Sequence, residues 1–346
     1  MMSGWIWPLL VFAATAIAAT IATRVVLAIL QRRAILDLPN ERSSHAQPTP
    51  RGGGIAVVAI LLPCWALIDY FEPGVSLSDW LVLVAILALA ILSWFDDLRG
   101  LSAGLRIVCH GLAVAAVLAA LPADALIFQG WLPPLADRLA TGLLWLWFVN
   151  LFNFMDGIDG ISGVEALSIA VGLVLVIVLS GDVLWRREAL LAMALAGSAF
   201  GFLLWNWHPA RLFLGDVGSV PLGFALGWLL ILAAIAGYWA TAAILPLYYF
   251  ADATITLCRR ALRGEKIWQA HREHFYQQAV AGGRDHAAVV RIIALGNLGL
   301  IVLALLAEAM TGSAKFLVIL AAVATVALLL RCLVGGGRRT IGRPDP

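Results

Sequence analysis

The chain has 346 residues, 62% of them hydrophobic and only 13% charged, with a formal net charge of +2 and a mean hydropathy of +0.94. A soluble core has no use for that much apolar surface, and apolar runs near the length of a bilayer crossing recur along the chain. A soluble protein is excluded; the composition predicts an all-α, polytopic integral membrane protein, a single membrane domain over 1–346.

Taken in order, the apolar runs predict eleven spans: 5–30, 54–71, 79–95, 105–121, 139–153, 161–180, 188–206, 219–236, 238–257, 290–309 and 315–334. The first is not flanked by basic residues on its N-terminal side, while Arg24, Arg32 and Arg33 follow. A secretory signal carries its charge before the apolar region, so this run is expected to be retained. If it runs from outside to inside, 19 of the 23 Lys and Arg fall on inner segments and 4 on outer ones. The positive-inside rule then puts the N-terminus in the periplasm and the C-terminus in the cytoplasm, with 335–346 a short basic cytoplasmic tail. Cys64, Cys109, Cys258 and Cys332 are scattered without a CxxC pair and read as small core residues.

The polar residues gather on five inner segments. The first is DLPNERSSHAQPTPRGGG, Asp37 to Gly54, too rich in turn formers to be a helix. Asp96-Asp97-Leu98-Arg99-Gly100 closes the third span. NLFNFMDGIDGISG, Asn150 to Gly163, carries Asp156 and Asp159 three apart, each followed by glycine. That spacing sets both carboxylates on one side of a turn or helix start. NWHPARLFLGDVGS, Asn206 to Ser219, runs into the eighth span. Cys258 to Arg291 holds a basic run and His271-Arg-Glu-His274. The outer segments show no such clustering. A carrier places its polar groups near mid-membrane, so an enzyme working at the cytoplasmic leaflet is favoured.

The chemistry suggested is metal-assisted phosphoryl transfer. Asp96, Asp97, Asp156, Asp159 and Asp216 are hard oxygen ligands that suit magnesium, which keeps waters and bridges substrate phosphates. Gly215 to Ser219, opening a helix, offers backbone N–H groups to an anion. Arg42, Arg51, Arg99 and Arg106 are candidate phosphate clamps. Blander readings stand beside these: an Asp pair at a span end is also a polar boundary, and GDVGS also a simple helix start. His271 and His274 equally suit one wet face of a surface helix, and His110 an interhelical hydrogen bond. Asp252 is buried about two turns from Arg259 and Arg260 and is expected to pair with them or to function. The basic run from Arg259 to Lys266 suits an anchor to anionic lipid.

PNERSSHAQPTPRGGG, FDD at Phe95 to Asp97, NFMDGIDG, NWHPARLFLGDVGS and the Asp252…Arg259…Gly264…His271…His274 series together resemble the polyprenyl-phosphate N-acetylhexosamine-1-phosphate transferase superfamily (glycosyltransferase family 4). The resemblance covers all five inner segments in family order. It implies transfer of an amino-sugar 1-phosphate from a UDP-sugar to undecaprenyl phosphate, releasing UMP, as the initiating step of O-antigen or other envelope glycan synthesis. It implies a multi-pass enzyme of the bacterial inner membrane, with no nucleic-acid partner and with a homodimer as the expected assembly. Magnesium, or manganese in its place, is the implied cofactor.

By the family motifs, Asp216 is the implied principal metal ligand and Asn153 a second. Asp96 and Asp97 resemble the pair that deprotonates or orients the lipid phosphate, and Asp216 joins them as catalytic. Asn153, Asp156, Asp159, Asn206, Arg51, His271 and His274 take substrate-binding positions, with Asp159 near uracil and the histidines near the diphosphate. Gly100 stands where the cell-wall translocase branch has lysine, and the histidines are spaced His-x-x-His. Both departures point toward the WbpL-like branch. Two alternatives remain at this level: a transporter of a nucleotide-sugar or lipid-linked anion, and an aspartate-rich membrane prenyltransferase.

Overall fold

The computed structural model describes residues 3–37, 48–181, 186–267, 269 and 271–335. Arg42, most of the first inner segment and the basic tail after 335 lie outside them. The described residues form a bundle of thirteen helices: α1 (Ser3–Arg32), α2 (Gly54–Phe71), α3 (Leu77–Arg99), α4 (Ala103–Ala120), α5 (Pro134–Phe154), α6 (Ile161–Ser180), α7 (Arg186–Asn206), α8 (Asp216–Ile235), α9 (Trp239–Ile244), α10 (Leu247–Leu262), α11 (Phe275–Ala281), α12 (His286–Ala309) and α13 (Ala314–Gly335). The sole sheet among the described residues is a two-residue ladder, β1 (Leu36–Asp37) against β2 (Thr49–Pro50), antiparallel.

Ten of these helices are long and apolar enough to cross a bilayer. Ten of the eleven expected spans are thus found, and the one over 238–257 is corrected. It is two helices, α9 of 6 residues and α10 of 16. Pro246 sits between them, supplying no N–H and clashing with a continuing helix.

α8 is the axis of the bundle, with 94% of its most apolar window buried, against 17% for α1 and 28% for α13. A helix apolar on all sides belongs inside, and α8 is one. The outer helices instead turn Ile6, Ile17, Leu295, Leu317 and Leu320 outward, each more than half exposed, as lipid-facing side chains should be. Small residues let backbones meet without water to drive them together. A Cβ at Gly201 of α7 would overlap the carbonyl oxygen of Ala16 on α1.

Candidate active site

Among the described residues, Arg51, Asp97, Arg106 and Asn153, from four separate pieces of chain, gather at the first turn of α8. The residues that lead from β2 into α2 lie against the segment before α8, where Arg51 and Phe213 form an isolated bridge. Phe213 N–H donates to Pro50 O at 2.9 Å, and the N–H groups of Gly53 and Gly54 donate to Phe213 O and Leu214 O at 2.8 Å each. A Cβ at Gly54 would overlap the Cα of Gly218, so the two helix starts meet backbone to backbone. This contact sets Arg51 beside Asp216: Nη2 is 2.7 Å from Asp216 Oδ1 and 2.8 Å from Asp97 Oδ1.

The two adjacent aspartates at the end of α3 face different work. Asp97 accepts the N–H of Asp216 on Oδ1 at 3.1 Å and the N–H of Val217 on Oδ2 at 3.0 Å. It thus caps α8, whose own N-cap residue, Gly215, has no side chain to do so. The helix start expected to offer its N–H groups to a substrate anion has two of them taken by this carboxylate. Asp96 turns the other way, accepting Leu101 N–H at 2.6 Å and Arg106 Nη1 at 2.9 Å. Arg106 reaches on to Asp216 Oδ2 at 3.4 Å.

Asp96, Arg106, Asn153 and Asp216 line one cavity of about 80 Å³ between α3, α4, α5 and α8, floored by His110 and Asn150. His110 Nδ1 lies 3.3 Å from Asn150 Oδ1, the interhelical bond expected of it. Asn153 gives Nδ2–H to Ser219 Oγ at 2.9 Å, a bond that does not use its carbonyl oxygen. Among the described residues three carboxylates share two guanidiniums here, one negative charge in excess. Oxygen donors in a cavity short of positive charge fit a hard divalent cation completed by waters or phosphate. Asp156, in the turn after α5, feels the same field. Burial first, and then Asp216, push its carboxyl up to about 7 against a hydrogen bond from Ser162.

Asp159 and Asn206 hold loops together. Asn206 Oδ1 accepts Gly160 N–H and its Nδ2 donates to Leu212 O, each at 2.9 Å. Asp159 Oδ2 is 2.6 Å from His208 Nδ1 and accepts Ala210 N–H at 3.1 Å. Burial raises the Asp159 carboxyl, but hydrogen bonds from His286, His208 and the Ala210 N–H outweigh it and hold the group below the usual range. The 155–160 turn is thereby pinned to the loop that leads into Asp216.

His271 and His274 stand with ring centroids 4.8 Å apart, and they differ. His274 is buried, its Nδ1 3.2 Å from Asp252 Oδ1, so it does not belong to a wet helix face. His271 is half-buried, and burial, then His274 and Arg260, push its ring down to about 4; it is a neutral imidazole at pH 7. Asp252 does not pair with Arg259 or Arg260, contrary to expectation. It accepts the N–H of Phe275 at 3.0 Å and of Tyr276 at 3.4 Å, and Tyr248 O–H at 3.3 Å, capping α11. Arg260 and Arg263 turn instead to Glu265 and Glu273, and Arg259 lies over the Phe275 ring. The histidine segment joins the rest through Tyr276, whose hydroxyl donates to Phe154 O at 3.5 Å.

Of the expected residues, Arg51, Asp96, Asp97, Asn153 and Asp216 come together at one point, with Asp156 within their field. Arg106 is the link between the two carboxylates, while Arg99 stacks on Phe95 instead. His208 and His286 were not singled out from the sequence. His208 lies inside NWHPARLFLGDVGS and so had a signal; His286, at the start of α12, had none.

A family model described as "Glycosyl transferase family 4" matches residues 80–234. That stretch holds Asp96, Asp97, Asn153, Asp156, Asp159, Asn206 and Asp216, but neither Arg51 nor the histidine segment. The chain is 28% identical over 289 residues to a "Probable undecaprenyl-phosphate N-acetylglucosaminyl 1-phosphate transferase" of Bacillus subtilis, covering 80% of this chain and 78% of that protein. It is 27% identical over 310 residues to a "Decaprenyl-phosphate N-acetylglucosaminephosphotransferase" of Mycobacterium leprae, covering 79% and 77%. It is 34% identical over 210 residues to a "Phospho-N-acetylmuramoyl-pentapeptide-transferase" of a Synechococcus species, covering 54% and 57%. These similarities support the superfamily and do not extend to the WbpL-like branch.

Proposed function

The chain belongs to the polyprenyl-phosphate N-acetylhexosamine-1-phosphate transferase superfamily, and from that premise we propose that it moves a sugar 1-phosphate from a UDP-linked amino sugar to undecaprenyl phosphate in the bacterial inner membrane. The family takes the place of the transporter and prenyltransferase alternatives. The site faces the cytoplasm in this proposal, a reading that the sorting of Lys and Arg supports.

The observation that carries the proposal is the cavity bounded by Asp96, Arg106, Asn153 and Asp216 at the end of the bundle. The acceptor phosphate sits there against Arg106, and Asp96 orients it and takes its proton when it arrives protonated. An acceptor oxygen then bonds to the sugar-bearing phosphorus. The bond from that phosphorus to UMP breaks, and its electron pair leaves with UMP. Arg51 holds the donor diphosphate beside Asp216, and the Asp156 turn and His271 line its path. Asp97 acts by holding the first turn of α8, and with it Asp216, in place. Asp216 and the Asn153 carbonyl would hold magnesium or manganese, which supplies charge neutralisation to the diphosphate.

The test is UMP release by the purified protein in detergent with undecaprenyl phosphate, magnesium and a panel of UDP-sugars, each repeated with EDTA. UMP that requires the lipid, the metal and one sugar is the expected result. Folded protein that binds none of the donors and releases no UMP would sink it.

A further inference from the structure

Asp159, His208 and His286 come from three separate pieces of chain: the turn after α5, the loop after α7 and the first residue of α12. One carboxylate oxygen and one ring nitrogen from each imidazole nonetheless lie within 4.8 Å of one another. Asp159 Oδ2 is 2.6 Å from His208 Nδ1 and 3.3 Å from His286 Nδ1. His286 Nδ1 also lies 3.3 Å from the backbone nitrogen of Asp159. An oxygen and two ring nitrogens from three pieces of chain thus face one another, as ligands of one shared ion do.

We propose that Asp159, His208 and His286 form a site for a late first-row divalent metal of the zinc class, separate from any magnesium at Asp216. Two imidazoles and one carboxylate make up a donor set suited to zinc with an open coordination position. Magnesium, which demands oxygen ligands, has no reason to choose it. Metal–ligand bonds of about 2.0–2.1 Å in a tetrahedron set neighbouring ligand atoms roughly 3.3 Å apart. The His286–Asp159 pair already has that spacing, at 3.3 Å. The His208 contact, a direct hydrogen bond of 2.6 Å, must open by roughly 0.7 Å to reach the same tetrahedral edge. His208 is the ligand with room to move: its side chain is 35% exposed against 8% for Asp159. That exposure also gives the ion an entry path and a place for water as fourth ligand. Bound there, the ion fastens the start of α12 to the two loops that carry Asp156 and lead into Asp216.

The test needs no turnover and no knowledge of the substrate. Tag-free full-length protein in detergent is stripped with a chelator, then titrated with Co²⁺ and followed by visible absorption. Stoichiometric uptake with the intense bands of a tetrahedral site is expected, displaced by Zn²⁺ and not by a large excess of Mg²⁺. Zinc should also raise the melting temperature. His286→Gln and His208→Gln should each weaken Co²⁺ binding at least about tenfold, whereas Asp216→Ala should bind it as the unaltered protein does. Absence of stoichiometric Co²⁺ uptake by the unaltered protein overturns the proposal whatever the variants do. Unchanged affinity in folded His286→Gln overturns it too.

Discussion

Asp97, at the end of α3, caps the helix that begins at Asp216: its two carboxylate oxygens accept the N–H groups of Asp216 and Val217 at 3.1 and 3.0 Å. Its neighbour Asp96 takes its N–H from Leu101, not from α8, and lines the cavity. Substitution should therefore separate the pair. Asp97→Ala should lower both stability, by about 1–2 kcal/mol as for a lost helix cap, and turnover. Asp96→Asn should remove turnover while the melting temperature holds. UMP release and thermal melts on the two variants check this; an unchanged melt for Asp97→Ala would refute the capping role.

Gly54 meets Gly218 with no space for a side chain. Gly54→Ala should push the starts of α2 and α8 apart and move Arg51 away from Asp216. The expected outcome is a clear fall in melting temperature with near-complete loss of UMP release. Turnover at the unaltered rate would show that the contact is not what sets the site.

Asp252 supports the start of α11 from inside the bundle. Asp252→Asn replaces an acceptor-only carboxylate with an amide that serves fewer of its four donors. Each buried donor left unsatisfied costs about 1–3 kcal/mol. The segment between α10 and α11 should loosen first, so trypsin should cut after Arg263 or Arg272 sooner than in the unaltered protein. Equal digestion rates would count against it.

Asp156 gives the fold a pH dependence with a definite sign. Its carboxyl titrates near 7 in the folded chain and near 4 when unfolded. The folded state therefore binds the proton more tightly, and stability falls as pH climbs from about 4 to about 7. Asp156→Asn removes the ionisation, so its melting temperature should decline less across that range. Melts with EDTA present, across the pH series, check it; parallel curves for the two proteins would remove the assignment.

Much of the architecture was legible because a bilayer crossing needs about twenty apolar residues in a row, a signal long enough to survive without partners. The break at Pro246 was not, because hydropathy on both sides runs through it and only the missing N–H ends the helix. The meeting of Arg51, Asp96, Asp97 and Asp216 was legible as a set of charges gathered on one face. Which carboxylate caps and which lines the cavity was not: Asp97 reaches its donors across 119 and 120 positions of chain. The same holds for Asp252, whose donors are backbone N–H groups of Phe275 and Tyr276, invisible in side-chain chemistry. Asn206 is named from the family motif, and the motif does not reveal that its two ends bond Gly160 and Leu212.

The burial of α8 on nearly every side also bears on how the protein meets membranes of different thickness. A helix that touches lipid answers hydrophobic mismatch by tilting, at a fraction of a kcal/mol per ångström. α8, 94% enclosed over its apolar window, has protein for a solvent and has no such freedom. Tilt falls instead on α1 and α13 at the rim, and Asp216 keeps its depth relative to Arg51, Asp96 and Asp97. A change of acyl-chain length in the host bilayer is thus a change felt at the periphery, with the candidate site riding on a post that the bilayer does not hold.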